Sequence, residues 1–269
     1  VFADEIDRCA EALAPWVDWS PREVLGAEGD TGAAWLARVD VVQPVSFAVM
    51  LGLVAVWRSL GVEPDAVVGH SQGEIAAAHV AGALSLADAA RVVAVRARVI
   101  GARLAGRGAM ASVGLTEAAV LDRLDTAPGV EVAAVNGPAS VVVAGPVEAV
   151  HRLVDELTAA GVRSRVLPVD YASHTSAVDT IGAELATELA GVRATAPVLA
   201  FYSAADGARV REAGALDAGY WVRNLRSQVR FQAAVEAAAE AGHGVFLEVG
   251  AHPVLVQAIT ETLDAAEAP

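Results

Sequence analysis

The chain has 269 residues, is 55% hydrophobic and 19% charged, and carries a formal net charge of −14, which suits one or two domains with a sizeable core and argues against nucleic acid or an anionic membrane as partner. Its one cysteine, Cys9, excludes an internal disulfide framework and fits a reducing, cytoplasmic setting. The opening residues do not read as a signal segment, the apolar runs are broken short of a membrane span, and no His/Cys/Asp cluster has metal-ligand spacing.

An amphipathic helix opens the chain and holds Cys9 as a packing residue. A second helix is expected from about Pro44 to Leu60. The short run Ala66, Val67, Val68 then reads as a strand, and it ends at Gly69. Gly69-His70-Ser71-Gln72-Gly73 follows, leading into the helix-forming run Glu74-Ile75-Ala76-Ala77-Ala78. G-x-S-x-G between strand and helix is the pattern of a nucleophile elbow, in which a sharp turn exposes the serine hydroxyl. Gly69 and Gly73 are expected to leave room for that strained turn. The alternative is an ordinary glycine-rich turn with an inert serine.

A helix from about Asp88 to Leu104 comes next. Val92, Val93, Val99 and Ile100 form one apolar stripe, and Arg96 lies at its centre. A guanidinium there needs an anion, because an unpaired buried charge is costly. Either a core carboxylate pairs with it, or it is a fork that receives a substrate carboxylate.

The middle of the chain changes order. Strand Gly108–Leu115, helix Thr116–Leu124, strands Val130–Val135 and Ser140–Ala144, helix Val147–Ala160 and strand Val162–Val169 give β-α-β-β-α-β, the ferredoxin-like pattern. The remainder returns to α/β: helix Val178–Ala190, strand Val198–Tyr202, helix Val229–Ala241, strand Val245–Val249 and a closing helix. The expected architecture is an α/β, hydrolase-like core over residues 1–107 and 171–269, with a ferredoxin-like small subdomain inserted at 108–170. The active site is then expected in the cleft between the two units.

Ser71 needs a base, and there are six histidines. His70 adjoins the serine on the turn and points away. His79 lies on the elbow helix, His151 on a polar helix face, His243 in a Gly-His-Gly turn, and His252 in a loop. His174, in Tyr171-Ala172-Ser173-His174, follows a strand-like run, and strand ends are where open α/β sheets put their chemistry. His174 is the expected base.

With these residues in view, the chain resembles the acyltransferase domain of modular type I polyketide synthases, relatives of the malonyl-CoA:acyl carrier protein transacylases. The resemblance runs through nearly the whole chain. It rests on Arg38-Val39-Asp40-Val41-Val42-Gln43-Pro44, Gly69-His70-Ser71-Gln72-Gly73-Glu74, Arg96, Gly108-Ala109-Met110, Ala134-Val135-Asn136-Gly137-Pro138, Tyr171-Ala172-Ser173-His174, Tyr220-Trp221-Val222-Arg223-Asn224-Leu225 and His252-Pro253-Val254-Leu255. It implies that Ser71 is acylated, that His174 is its base, and that Arg96 binds the free carboxylate of the extender unit. It also implies that the position of Asn224 holds the histidine through a backbone carbonyl, and that the Gln72 amide is an oxyanion donor. A second donor is expected from a Gly-Gln-Gly-type loop that precedes the family's first helix, and the present chain opens past it.

The resemblance further implies acyl-CoA as substrate and no bound cofactor. The partners it implies are an acyl carrier protein bearing phosphopantetheine and flanking domains such as a ketosynthase. Tyr171-Ala172-Ser173-His174, Arg38-Val39-Asp40-Val41-Val42-Gln43 and a glutamine after the serine accompany methylmalonyl selection in the family, whereas His-Ala-Phe-His accompanies malonyl. Ser173 in place of phenylalanine leaves space for an α-methyl. Gln43, Asn136 and Met110 either line that pocket or are structural. Arg223, Arg226 and Arg230 offer either a basic patch for an acidic carrier or a solvated helix end. A serine hydrolase or thioesterase, or a scaffold domain of a megasynthase, are the alternatives to a transferase.

Overall fold

A computed structural model of the chain describes residues 1–266. α1 (Phe2–Leu13) turns Ile6, Cys9 and Leu13 into the core. α2 (Pro21–Gly26) and α3 (Gly29–Leu36) follow, and neither was expected from the apolar pattern. Ser20 at the N-cap with Pro21 at the first helical position was the signal that could have found α2. α4 (Val39–Ser59) begins five residues before Pro44 and runs through it. This 21-residue helix is long and apolar enough to cross a membrane, its most apolar 18 residues having mean hydropathy 2.0, against the expectation from the sequence. Here it packs on α1 and α6 (Leu86–Arg103) as a core helix, burying Val41, Val45, Phe47 and Leu51.

Between those two helices lie β1 (Ala66–Val68) and α5 (Gly73–Val80), the strand and helix of the elbow. The small sheet follows: β2 (Ala109–Val113), α7 (Glu117–Leu124), β3 (Glu131–Gly137), β4 (Ser140–Gly145), α8 (Val147–Ala159) and β5 (Ser164–Val166). Its strand order is β5-β2-β4-β3 with antiparallel pairing throughout, the ferredoxin-like arrangement. α7 and α8 cover one face, and Val113, Val141, Val143, Val150 and Leu157 fill the space between.

β5 is much shorter than Val162–Val169. The last ladder bond is Leu167 N–H to the Met110 carbonyl, at 2.8 Å. Pro168 then has no N–H to donate, so the regular ladder stops, and the next bond, Gly108 N–H to the Asp170 carbonyl at 3.3 Å, is out of register. His174 therefore lies in an irregular segment, residues 167–175, rather than directly at a strand end. A 3₁₀ turn (Ser176–Thr180) and α9 (Gly182–Glu188) replace the single helix expected over Val178–Ala190.

β6 (Ala200–Ser203) pairs parallel with β1 and antiparallel with β7 (Ala208–Val210). α10 (Ala218–Arg226) leads to β8 (Val229–Arg230), which adds to the small sheet in parallel beside β3. α11 (Phe231–Glu240) and α12 (Val256–Ala265) close the chain. The expected strand Val245–Val249 joins no ladder among the described residues. Its side chains keep the two-residue alternation: Phe246 packs inward, while Val245 is 93% and Leu247 48% exposed. A strand is defined by its neighbour, and this segment has none among the described residues.

Candidate active site

Ser71 sits between β1 and α5 with φ of +52°, one of two non-glycine residues in the left-handed region among those described. The other is His174, with φ of +61°. Such backbones are costly and persist only where the surroundings fix them. Gly69 is part of that fixing. A Cβ there would lie 2.3 Å from the Glu74 Cα, so the turn closes only over glycine. Gly73 differs from expectation: a Cβ there would meet nothing within 4 Å.

The Ser71 hydroxyl donates to His174 Nε2 at 2.7 Å. His174 Nδ1 donates to the Ser227 carbonyl at 2.9 Å, and the His174 N–H to the Leu225 carbonyl at 2.9 Å. This fixes the neutral tautomer that leaves Nε2 free to accept. The hydrogen bond on Nδ1 is to the Ser227 carbonyl, and the Asn224 carbonyl named in the sequence reading also acts on the ring. Asn224 uses its side chain as well. Its Oδ1 accepts from Arg96 Nη1, and its Nδ2 donates to the Ser71 carbonyl at 3.3 Å. Both contacts come from the end of α10: Asn224 faces inward from its last turn, and Ser227 is its C-cap.

Arg96 is 2% exposed. Its Nη2 donates to Ser71 Oγ at 3.0 Å, and its Nε has no hydrogen-bond partner among the described residues. No carboxylate lies within ion-pair distance of it among them, so the structural ion pair is not formed. Burial draws the guanidinium down to about 10, and the Glu74 carboxylate acts in the opposite sense. His174 is pushed down to about 3, first by burial and then by the Arg96 charge. It is thus a neutral base at physiological pH.

α5 points its N-terminus at this cluster. The amides of Gly73, Glu74 and Ile75 bond back to the carbonyls of His70, Ser71 and Gln72. The Gln72 N–H makes no hydrogen bond among the described residues and is free for an oxyanion. The other sequence-predicted residues fall in three pairs. Gln43 Nε2 donates to the Tyr171 hydroxyl at 3.2 Å, leaving Gln43 Oε1 without a partner. Ser173 donates to Met110 Sδ at 3.5 Å, and both are buried. Asn136 Oδ1 accepts from His70 Nε2 at 2.8 Å, which turns that histidine away from Ser71. His70 is lowered chiefly by burial.

Of the three arginines offered as a patch, Arg226 pairs with Asp179 at 2.7 Å and Arg223 lies over the Tyr220 ring. Arg230 is exposed. Two polar residues with clear contacts were missed. Ser227 gave no sequence signal. Glu74 did: a carboxylate inside a run buried on all sides, Ile75 to Ala78, cannot reach solvent.

The comparisons with known proteins follow the same lines. The model of the family described as "Acyl transferase domain" matches residues 1–269. The chain is 54% identical over 263 residues to the pikromycin polyketide synthase component PikAII of Streptomyces venezuelae, covering 97% of this chain and 7% of that polypeptide. It is 52% identical over 268 residues to the erythronolide synthase EryA3 of Saccharopolyspora erythraea, covering 99% of this chain and 8% of that one. Among solved structures, it superposes on the acyltransferase domain from module 8 of the salinomycin polyketide synthase with a TM-score of 0.93 at 48% identity, covering 100% of this chain and 63% of that one. The malonyl CoA-acyl carrier protein transacylase of Coxiella burnetii gives 0.86 at 25% identity, covering 97% of this chain and 82% of that one. The chain therefore spans less than a tenth of those two synthase components, and it belongs to the acyl transferase domain family, of the type carried by modular polyketide synthases.

Proposed function

We propose that the chain moves a methylmalonyl-type extender unit from coenzyme A to the phosphopantetheine thiol of an acyl carrier protein, through an acyl-Ser71 intermediate. The observation that carries this reading is Arg96, a guanidinium 2% exposed with no carboxylate partner and no partner for its Nε–H among the described residues. A buried cation in that state is costly unless an anion completes it. Its Nη2 lies 3.0 Å from Ser71 Oγ, so an anion on the fork is close to the reacting oxygen. A carboxylate one carbon removed from the thioester carbonyl suits that short span.

In the first half-reaction His174 Nε2 takes the Ser71 proton as Oγ attacks the thioester carbonyl. The Gln72 N–H, at the positive end of α5, faces the developing oxyanion. The imidazolium forms beside the Ser227 and Asn224 carbonyls, at the negative end of α10, which act in favour of its charge. The C–S bond breaks, and the thiol of coenzyme A leaves with that proton. In the second half-reaction the carrier thiol gives its proton to His174 and attacks the acyl-serine. Ser71 is released as the hydroxyl. This is covalent catalysis in two steps. Ser173 and Met110 leave room beside the acyl α-carbon, and one methyl is worth only about 1–3 kcal/mol of discrimination. A ketosynthase is the expected neighbour in the longer polypeptide.

Intact-mass measurement after incubation with methylmalonyl-CoA and propionyl-CoA tests the reading. The wild type should gain a methylmalonyl adduct, and Ser71→Ala none. Arg96→Ala should lose the preference for methylmalonyl over propionyl by about tenfold or more, since a charge-assisted bidentate contact is removed. Equal losses for both thioesters would return Arg96 to a structural role.

A further inference from the structure

α10 supplies both groups that orient the site: the Asn224 side chain on Arg96 and the Ser227 carbonyl on His174. Something must hold α10 against the elbow. Glu74, on the first turn of α5, is fully buried. Its Oε1 accepts the N–H groups of Ala204 and Ala205, at 2.6 and 3.0 Å, in the turn after β6. Its Oε2 accepts the Tyr220 hydroxyl, which also shares a 2.8 Å hydrogen bond with Ser203 Oγ. Tyr220 lies on the first turn of α10, four residues before Asn224 and on the same face.

No cation pairs with Glu74 among the described residues. A carboxylate buried in this way is expensive, and an apolar side chain of similar size is often the more stable choice. Its three donors offset part of that cost and give the group a geometry. They come from the turn after β6 and from α10, and the carboxylate itself rides on the elbow helix.

We infer that Glu74 is a positioning residue for the transfer reaction: through Tyr220 it sets where α10 lies against the elbow, and so where the Asn224 side chain holds Arg96 beside Ser71. The inference rests on the acyl-transfer reading above. It differs from a simple packing role, because it requires the effect to pass through Asn224.

Single-turnover acylation of Ser71 by methylmalonyl-CoA, followed by intact mass over a concentration series, tests it. The variants are Glu74→Gln, Tyr220→Phe, Asn224→Ala and the double variants of the first two with Asn224→Ala. Thermal unfolding is measured on each. The single variants at 74 and 220 should lower the saturating rate by about tenfold or more, because a small misplacement of reacting groups costs up to about 10²-fold. The double variants should be within about twofold of Asn224→Ala alone, since residues on one path do not add. Wild-type rates in both single variants, or double variants whose losses multiply, would overturn the inference. Should Glu74→Gln fail to fold, Tyr220→Phe and its double carry the same decision. An absence of adduct on the wild type would remove the acyl-transfer reading and this inference with it. A wild-type adduct with unaffected variants removes the inference alone.

Discussion

At the scale of single residues, one charge governs two others. Arg96 sits between the nucleophile and Asn224, and its field helps push His174 down to about 3. The sign follows directly. The folded value lies below the ordinary histidine value of 6.5, so the ring stays neutral as pH falls through 6.5 and is lost as a base only near the folded value. Reaction of Ser71 with a neutral fluorophosphonate should therefore show no acid limb between pH 8 and about 5, a window well above the lowered value. In Arg96→Ala the repulsion is gone, and the acid limb should move up in pH. An acid limb near the usual imidazole range in the wild type would mean that the ring is less buried in solution than here. Ser71, His174 and Arg96 were legible as candidates because each stands out from its surroundings in the sequence. The role of Ser227 was not legible, because a backbone carbonyl leaves no residue-type signal.

At the scale of elements, the strand–turn–helix of the elbow and the small βαββαβ sheet were legible from period and punctuation. The failures have physical causes. Pro168 cut short the strand expected to reach Val169, and Val245–Val249 has the alternation of a strand without a neighbour to pair with. α4 passed for a shorter helix because Pro44 reads as a start signal, yet here the helix begins at Val39. The elbow also distinguishes its two glycines. Gly69→Ala puts a methyl carbon 2.3 Å from the Glu74 Cα, and that contact is with backbone. Its expected outcome is loss of the native elbow, read as a large drop in Tm together with loss of Ser71 labelling. Gly73→Ala has open space at the first position of α5. It should leave Tm unchanged or raise stability by about 0.5–1 kcal/mol, the usual gain of alanine over glycine in a helix. Equal destabilisation by the two substitutions would refute this reading of the turn.

At the scale of the whole molecule, the two sheets share material. β8 belongs to the small sheet, yet it comes from the last part of the chain. One apolar cluster joins Met110, Ala134 and Val142 of the small sheet to Tyr202, Phe231 and Val235 beyond it. Unfolding either unit alone would strip that cluster, so thermal unfolding should be a single cooperative transition, with calorimetric and van't Hoff enthalpies in agreement. Two resolved transitions would show that the sheets are independent. The small sheet was legible in the sequence as a change of element order. The coupling was not, because a two-residue strand such as Val229–Arg230 carries no periodicity.

The left-handed backbone at Ser71 also limits which nucleophiles this scaffold can ever host. A side chain branched at Cβ is a genuine outlier at positive φ, whereas an unbranched one is tolerated at moderate cost. Threonine offers the same hydroxyl chemistry as serine, but at φ of +52° its extra methyl has no comfortable conformation. Cysteine is unbranched and fits. The evolutionary and engineering neighbourhood of this enzyme is therefore lopsided: exchange of oxygen for sulfur is open, and exchange of one alcohol for another is closed. Ser71→Cys should fold with a Tm close to wild type and remain open to acylation, while Ser71→Thr should lose both stability and labelling, which melting curves and intact mass read side by side.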